Sequence, residues 1–198
     1  MLRARGLKKQ AEEYLTAANG VLYPGTQETL RPTKEFLGDT FRLSDDLILQ
    51  TITHKSFAHG KKPFNETLSI LGKEFLRLET GSFAVSQESN NPSRIANANF
   101  DISPNALEVL SSVRAIAEVS KKTGIANSIF WKKRAEDLEP GKSGETTVQA
   151  KSIAALVGAI LVTHGQTKAS DFIRTKLLTG PYSLLDIAKG IYGEQTAK

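Results

Sequence analysis

The feature that most constrains the fold is residues 147–164, the most apolar helical stretch of the chain. Apolar residues lie on nearly every face of the helix that it would form, whereas a surface helix carries them along one stripe. We therefore predict a central helix surrounded by others, with Gly165 as its C-cap. The longest strongly apolar run, Ile153 to Val162, is shorter than the roughly 18 residues that indicate a membrane span, so none is expected.

Other segments also show apolar residues at helical spacing, and alternation with period two is nearly absent. Ser44 followed by Asp45 and Asp46 is a good helix start, with an N-cap and acidic residues in the first turn. We therefore predict an all-α protein. Besides the central helix, the predicted helices are residues 7–18, the stretch from Ser44 to Phe57, a helix opening at Asn65, one from Ser103 and Pro104 to Gly124, and one from Thr167 to just before Gly180.

Glycine and proline divide the chain into parts. Residues 19–40 contain three glycines and two prolines and are predicted to be a connecting arm, and residues 136–146 are predicted to be a loop. The end of the chain is expected to be loosely held. The predicted organisation is an N-terminal helix and arm over residues 1–40, a helical domain over residues 41–179 and a C-terminal tail over residues 180–198.

Gly72 and Gly158 fall inside predicted helices, where glycine is less favourable than alanine by about 1 kcal/mol. Glycine at such positions indicates that two helix backbones approach each other closely. A bulky replacement such as Gly158→Leu is therefore expected to destabilise the fold.

The charge balance favours an anionic partner. The chain has 26 Lys and Arg against 21 Asp and Glu, a net charge of +5, which suits a nucleic acid or an acidic membrane surface. It has no cysteine, which excludes disulfides, thiolate metal sites and thiol nucleophiles. The first ten residues are basic but lack the apolar core of a signal peptide, and the acidic Glu12 and Glu13 follow directly. These residues therefore predict no subcellular location.

Three segments, the first of them in two parts, resemble the ribonuclease III family and occur in the family's order over about residues 43–178. Thr53 to His59 is similar to the family's LTHxS helix, and Asn65 to Lys73 to its signature NERLEFLGD. Gln149 to Ile160 resembles the family's ADxFEALIGAI helix, and Leu110 to Ile125 matches the helix that ends in LGL. The resemblance implies a ribonuclease III-like helical domain with extensions at both ends, and no double-stranded-RNA-binding domain is expected after it.

The family's nuclease reaction uses a divalent metal, usually Mg²⁺, which is held by carboxylates on two facing helices. The motifs place those acidic positions at Glu66, Ser69, Lys73, Lys151 and Ala154. Five carboxylates would carry a formal charge of −5. This set carries −1 from Glu66 and +2 from its two lysines, which gives a net charge of +1. We therefore expect no catalytic residue, no bound metal and no cofactor, with Lys73 or Lys151 pairing with Glu66. His54 and His59 are expected to pack or to form hydrogen bonds, and Glu74 is expected to point elsewhere.

The resemblance also implies dimerisation, because the family's signature helix places an apolar side chain in a socket on its partner. The candidates are Ile70, Leu71 and Phe75. The alternative is that these residues fill the domain's own core; for Ile70 both interpretations stay open, and for Leu71 and Phe75 the core is favoured.

Basic residues are the candidates for RNA contact, since phosphate binding is driven by charge. Trp131 lies beside one basic run, where base stacking and ordinary packing are both open, with packing favoured. The candidate residues are Arg3, Arg5, Lys8, Lys9, Lys61, Lys62, Lys132, Lys133 and Arg134.

Some family members keep the fold without the chemistry, namely the ribonuclease III-like proteins of mitochondrial large ribosomal subunits. The resemblance to these implies a fungal mitochondrial matrix location, with ribosomal RNA, a second ribonuclease III-like subunit in a heterodimer and other large-subunit proteins as partners. Two alternatives stay open: an active double-stranded RNA endonuclease that uses other ligands, and a regulatory dimer partner of an active nuclease.

Overall fold

The computed structural model describes residues 15–88, 108–133 and 143–196, with side chains through residue 191. These ranges contain six α-helices, two 3₁₀ turns and one π-helical turn, and no β-strand beyond isolated bridges. The all-α prediction is confirmed. The α-helices are α1 Gln27–Leu37, α2 Asp45–Thr51, α3 Glu66–Ser86, α4 Val113–Lys122, α5 Glu145–Phe172 and α6 Leu184–Thr196; the 3₁₀ turns are Phe57–Gly60 and Ile125–Ser128, and the π-helical turn is Ile173–Leu178.

Helix α5 is the centre of the molecule, as its apolar sequence predicts. Ile153, Leu156, Val157 and Ile160 are fully buried, and α3 and α4 pack against the helix. Residues 145–178 are long and apolar enough to cross a membrane, but 67% of their most apolar window is buried within this domain. Such burial is typical of the core helix of a globular domain.

Helices α3 and α5 cross at the two glycines predicted to allow close approach. A Cβ atom on Gly72 would collide with the carbonyl oxygen of Ala154 and lie 2.5 Å from the Gly158 nitrogen. A Cβ on Gly158 would collide with the carbonyl oxygen of Leu68. Since these obstacles are backbone atoms, no rotamer change relieves them, and the helices pack backbone to backbone only because both positions are glycine.

Gly165 ends the straight part of α5, in keeping with its predicted place as a C-cap. Its φ of 82° is in the left-handed region, which glycine enters without strain. The chain then continues helically into the π-helical turn, and Phe172 packs edge-on against Phe36 and Phe41 with ring centroids 5.6 and 5.1 Å apart. This aromatic group joins the end of α5 to α1 and to the loop that follows it.

The prediction of a connecting arm over residues 19–40 is wrong, because residues 27–37 form α1. Leu30, Phe36 and Leu37 line one face of the helix and are buried in the main core. Pro32 lies inside α1 and removes one helix hydrogen bond. Burial of that apolar face compensates for the lost hydrogen bond. A prediction based on counting prolines and glycines does not take this burial into account.

The helix predicted to extend to Phe57 ends earlier, at Thr51. The residues that follow leave the helix and pair with a second segment: Phe130 N–H donates to the Ile52 carbonyl and His54 N–H to the Phe130 carbonyl, both at 2.8 Å. Backbone groups that would have continued the helix are used in this pairing. The opening of α3 agrees with its prediction, and the Asn65 side chain donates to the Thr51 carbonyl at 2.9 Å.

Two further helix predictions need correction. Residues 108–110 are helical, but the predicted helix is interrupted at Ser111 and Ser112. Helix α4 starts at Val113, where the Ser112 hydroxyl accepts from Ala115 N–H at 3.2 Å and caps it; Ser103 and Pro104 lie outside the described residues. The predicted loose tail contains α6, where Leu184 and Ile187 are buried in the core. Most of the predicted helix over residues 7–18 also lies outside the described residues, and residues 16–18 are not helical.

Candidate functional site

The five positions of the expected acidic cluster lie on α3 and α5, but only part of the set comes together. Glu66 is the first residue of α3, and its side chain faces Lys151 in the first half of α5, with the Lys151 Nζ 3.8 Å from Glu66 Oε1. Of the two lysines expected to pair with Glu66, the structure therefore selects Lys151. Lys73 is exposed two turns further along α3, where it lines a different groove with Arg77 and Glu108.

A second cation, Lys55, is the nearer partner of Glu66. Its Nζ donates to Glu66 Oε1 at 2.5 Å. The hydrogen bond from Lys55, together with the charges of Lys55 and Lys151, lowers the pKa of the Glu66 carboxyl below its usual range. Sequence reasoning named Lys55 only as part of a motif. It lies in the segment between α2 and α3, so no helical spacing relates it to Glu66.

The two uncharged positions of the set have structural contacts. The Ser69 hydroxyl donates to the Glu66 carbonyl at 2.7 Å, within its own helix. Ala154 is buried at the crossing of α3 and α5, where its carbonyl lies against Gly72. A longer side chain at Ala154 would have to fit between two closely packed helices.

Carboxylates elsewhere on α3 do not rebuild a metal site. Glu74 is exposed, and Glu79 is buried further along the helix, where it accepts from the Ser170 hydroxyl at 2.9 Å. Across residues 15–88, 108–133 and 143–191, no group of three or more His, Asp or Glu side chains is arranged to hold a metal ion. At the expected acidic positions, a divalent cation would therefore meet one carboxylate, Glu66, which the ammonium groups of Lys55 and Lys151 already contact.

A groove with a volume of about 610 Å³ lies beside this ion pair. We call it the basic groove. Its walls come from the segment after α2, the segment 131–133 and the beginning of α5. A hydrogen bond of 3.1 Å from Lys132 N–H to the Ser56 hydroxyl joins two of these walls. The lining residues are His54, Lys55, Ser56, His59, Trp131, Lys132, Lys133, Ser143, Gly144, Thr147, Val148 and Lys151.

His54 is neutral at pH 7 in this surrounding. Burial lowers the pKa of its imidazole to about 4, and the nearby charges of Lys151 and Lys55 lower it as well. Its Nδ1 accepts from Ser56 N–H at 3.2 Å, so the proton of the neutral ring lies on Nε2. His54 therefore forms a hydrogen bond, as its sequence context predicted.

The structure separates the candidates for RNA contact. Lys132 and Lys133 line the basic groove, whereas the Nζ of Lys62 lies 5.2 Å from the centre of the Tyr23 ring, and Lys61 is exposed nearby in sequence. Trp131 is buried with Ile129 and Val148 in a small apolar cluster, so it packs and does not offer its face for base stacking. Arg3, Arg5, Lys8, Lys9 and Arg134 lie outside the described residues.

The three dimer candidates have different exposures. Ile70 is 61% exposed and Leu71 is also exposed, while Phe75 is only 9% exposed and belongs to the core. The core position favoured for Phe75 is therefore confirmed, whereas the core position favoured for Leu71 is wrong. Leu78, seven residues after Leu71 and therefore on its side of α3, is also 61% exposed and was missed. We call Ile70, Leu71 and Leu78 the α3 ridge.

The fold and the arrangement of the site are those of a ribonuclease III-type helical domain, with Glu66 as the one carboxylate at the five positions expected to be acidic. The model of the Ribonuclease-III-like family matches residues 44–180, and the chain belongs to that family. The nuclease domain of ribonuclease III from Campylobacter jejuni has the same fold: the TM-score is 0.55 at 19% identity, and the match covers 85% of this chain and 99% of that one.

Two curated relatives represent different kinds of family member. Large ribosomal subunit protein mL57 of Neurospora crassa is 31% identical over 155 residues, covering 71% of this chain and 57% of that protein. Ribonuclease 3 of Corynebacterium jeikeium is 34% identical over 125 residues, covering 62% of this chain and 48% of the enzyme. The predicted similarity to a ribosomal member is confirmed. The chain spans about half the length of these relatives.

Proposed function

We propose that this chain is a structural, non-catalytic constituent of the mitochondrial large ribosomal subunit. In this proposal it lies in the mitochondrial matrix, contacts ribosomal RNA and forms a heterodimer with a second ribonuclease III-like subunit. The observation that carries the proposal is the state of Glu66, the one carboxylate left at the expected acidic positions. Similarity to a large ribosomal subunit protein supports the ribosomal assignment.

The electrostatics argue against metal-dependent cleavage of RNA. Mg²⁺ prefers an octahedral set of oxygen ligands that includes carboxylates. Here Glu66 Oε1 is shared by Lys55 at 2.5 Å and Lys151 at 3.8 Å. A divalent cation at this carboxylate would have to displace those ammonium groups or lie beside them, and like charges at about 4 Å repel by roughly 4 kcal/mol per unit charge pair at an effective dielectric constant of 20.

Sedimentation tests the ribosomal assignment. We expect the tagged full-length chain, expressed in its own organism, to travel with the large ribosomal subunit through a sucrose gradient in high Mg²⁺. It should shift with the ribosomal RNA when EDTA unfolds the particle. Sedimentation in light fractions under all conditions would overturn the proposal and favour a regulatory partner of a nuclease.

A cleavage assay tests the alternative of an active nuclease, which the similarity to bacterial ribonuclease 3 raises. We expect no cutting of duplex RNA by the pure protein with Mg²⁺ or Mn²⁺. The Glu66→Ala variant is the control for contamination, because cuts that persist in this variant do not arise from the site. Metal-dependent cuts that disappear in Glu66→Ala would show an active enzyme and contradict the proposal.

The α3 ridge is the surface proposed to meet the second ribonuclease III-like subunit. Three large apolar side chains, Ile70, Leu71 and Leu78, are exposed on α3, with Ile70 and Leu78 each 61% exposed, and exposed apolar residues on a helix can anchor it against a partner. Replacing either Ile70 or Leu78 by Asp removes little buried contact from the domain, so the isolated chain should remain folded. In the assembled state the same change would bury a charge.

Substitution on the ridge tests this interface. We expect Ile70→Asp to reduce recovery of the ribonuclease III-like partner with the tagged chain at least tenfold, with an unchanged melting temperature. Val162→Asp is the matched control, because Val162 lies on α5 and is 67% exposed, close to the 61% of Ile70. Equal loss for both variants, or for neither, would exclude the ridge as the interface.

A further inference from the structure

Residues 16–22 form a short hairpin ahead of α1, which we call the N-terminal hairpin. Its ends meet in an isolated antiparallel bridge, and Gly20 N–H donates to the Ala17 carbonyl at 3.0 Å across the turn. The φ of Gly20 is 82°, in the left-handed region that glycine enters without strain. The turn is therefore built on the dipeptide Asn19-Gly20, and both of its residues are exposed.

The Asn19 side chain joins this hairpin to a second part of the chain. Its Nδ2 donates to the Asn127 carbonyl at 2.7 Å, and its Oδ1 accepts from Val21 N–H at 3.1 Å within the hairpin. One backbone hydrogen bond supports the contact, from Ala18 N–H to the Trp131 carbonyl at 3.0 Å. The contact with the Asn127 carbonyl therefore depends on a hydrogen-bond donor in the side chain at position 19.

Asn19 is the one asparagine of the sequence that is followed by glycine. The backbone nitrogen of the following residue can attack the side-chain carbonyl carbon of an asparagine, and glycine hinders this attack least because it has no Cβ. The attack forms a bond between the Gly20 nitrogen and Asn19 Cγ, and Nδ2 leaves as ammonia, which gives a succinimide ring. Water then opens the ring at either of its carbonyls, so the sum of the steps is amide plus water to carboxylic acid plus ammonia.

The folded hairpin holds the reacting atoms apart. The Gly20 N–H donates to the Ala17 carbonyl, and the oxygen and the nitrogen of the Asn19 amide each have a hydrogen-bond partner. The attack requires the Gly20 nitrogen to lose its proton and to approach Cγ, which these hydrogen bonds oppose. The turn must therefore open first, and local opening of a short exposed segment costs much less free energy than global unfolding.

Conversion of Asn19 removes the donor on which the contact depends. An ionised aspartate only accepts hydrogen bonds, so its carboxylate and the Asn127 carbonyl would face each other as two acceptors. Isoaspartate, the second product, adds one carbon to the main chain and displaces the register of the hairpin. In either case the chain beyond the hairpin stays in place, because the Tyr23 ring packs against Phe130 with centroids 5.3 Å apart.

We propose that Asn19 is a site of spontaneous deamidation, and that its conversion to aspartate or isoaspartate releases the N-terminal hairpin from the Asn127 carbonyl. The modification consumes only water, and it is irreversible because the ammonia is lost to solvent. It affects one side of the segment 127–131, since on the other side Phe130 N–H still donates to the Ile52 carbonyl. The inference is independent of the proposed ribosomal function.

Peptide mapping by mass spectrometry tests the modification on the purified full-length chain, aged at neutral pH either native or unfolded in urea. We expect Asn19 to convert in both samples, about tenfold to a hundredfold more slowly in the native one because the turn must open first. Isoaspartate among the products marks the succinimide route. Asn127, which precedes serine, is the internal control and should convert much more slowly in the unfolded chain. A native chain that retains the Asn19 amide beyond this range, or equal conversion at both asparagines, would overturn the proposal.

Hydrogen exchange tests the release of the hairpin. Asn19→Asp carries the carboxylate of the product, and we expect its Ala18 amide to exchange at least about tenfold faster than in the wild type. The matched control is Asn127→Asp, which adds the same charge on the other side of the contact but retains the backbone carbonyl that Asn19 uses. Exchange at Ala18 should be unchanged in the control, and the Phe130 amide should stay protected in both variants. Wild-type exchange at Ala18 in Asn19→Asp, or equal acceleration in the two variants, would overturn the proposed release.

Discussion

Two regions of the α3–α5 pair show how differently packing and charge constrain a sequence. At the crossing, Gly72 and Gly158 bring the helix backbones so close that a single Cβ would strike a carbonyl oxygen. At the amino-terminal end of α3, Glu66 meets Lys55 and Lys151 through side chains that remain partly exposed. Both regions lie on the same two helices.

The difference teaches that packing restricts side-chain size at the crossing, whereas the charged end leaves room for side chains of different charge. The crossing has no free volume, and its obstacles are backbone atoms, so a change in size there must move whole helices. The charged end has solvent within reach, which screens charges and lets long side chains adjust. Under the proposed function, a change from acid to lysine at that end would alter which ligand the site attracts while the helices stay in place.

The largest effect is expected from breaking the crossing. Gly72→Ala places a Cβ against the Ala154 carbonyl oxygen and 2.5 Å from the Gly158 nitrogen. We expect a loss of about 3 kcal/mol or more in the free energy of unfolding, since overpacking at a rigid site is at the upper end of its usual range. For a chain of this size that corresponds to a fall in melting temperature of roughly 6–12 °C, measurable by calorimetry.

Gly81→Ala is the matched control, in the same helix and of the same chemistry. Nothing lies within 4 Å of the Cβ that it would add, so only helix propensity acts, and the variant should gain up to about 1 kcal/mol. A loss of stability in Gly72→Ala together with a gain in Gly81→Ala would support the view that the crossing is more tightly constrained than the charged end. A neutral Gly72→Ala would show that the helices separate easily and that the crossing is no more constrained than the charged end.

The crossing was predictable from the sequence because it depends on residue size within long apolar helices. Glycine at positions 72 and 158 has a direct geometric meaning, and the burial of α5 follows from apolar residues on all its faces. Both features depend on local sequence, and the motif resemblance placed them in one fold.

The charged end was only partly predictable, since its contacts join segments that are distant in sequence. The motifs indicated Glu66 and Lys151, but the nearer partner, Lys55, is positioned by the turn after α2 and by the pairing of Thr53 with Phe130. Helix α1 was missed for a related reason. Pro32 predicts a break locally, whereas burial of Phe36 and Leu37 in the core is a tertiary effect.

The second-largest effect on stability is expected from His54, which lies at the charged end. Its lowered pKa makes the stability of the fold depend on pH. Between its ordinary pKa of 6.5 and its folded pKa of about 4, the unfolded chain binds a proton that the folded chain does not. Stability therefore rises with pH across this window and is lost as pH falls through it, by up to about 1.4 kcal/mol per pH unit. Burial is the main cause, and the lysine charges add to it.

His54→Asn tests this linkage, because an amide oxygen can accept from Ser56 N–H in place of Nδ1 but does not titrate. We expect chemical denaturation of the wild type to show a loss of about 1 kcal/mol between pH 6.5 and pH 5 that the variant lacks, because solvent around the partly exposed ring reduces the full linkage effect. Carboxyl groups titrate mostly below this range and affect both proteins alike. Parallel pH profiles would mean that His54 is protonated as readily in the folded chain as in the unfolded one.

The smallest effect on stability is expected from removing the ion pair itself. Glu66→Gln deletes a carboxylate whose side chain is 32% exposed, and such pairs contribute between zero and about 1 kcal/mol. Since the folded pKa of Glu66 is lowered, its contribution is present above the ordinary value of 4.5 and is lost as pH falls through the folded pKa. Wild type and variant should therefore differ slightly at pH 7 and not at all at strongly acidic pH.

Glu118→Gln is the matched control for this substitution, because it breaks the exposed pair with Lys121 at 2.6 Å on α4. Both pairs are within reach of solvent, so the two variants should lose similarly small amounts of stability. A loss of stability from Glu66→Gln as large as that of Gly72→Ala would show that the ion pair holds the helices together, and the distinction between a packed crossing and an adjustable charged end would fail.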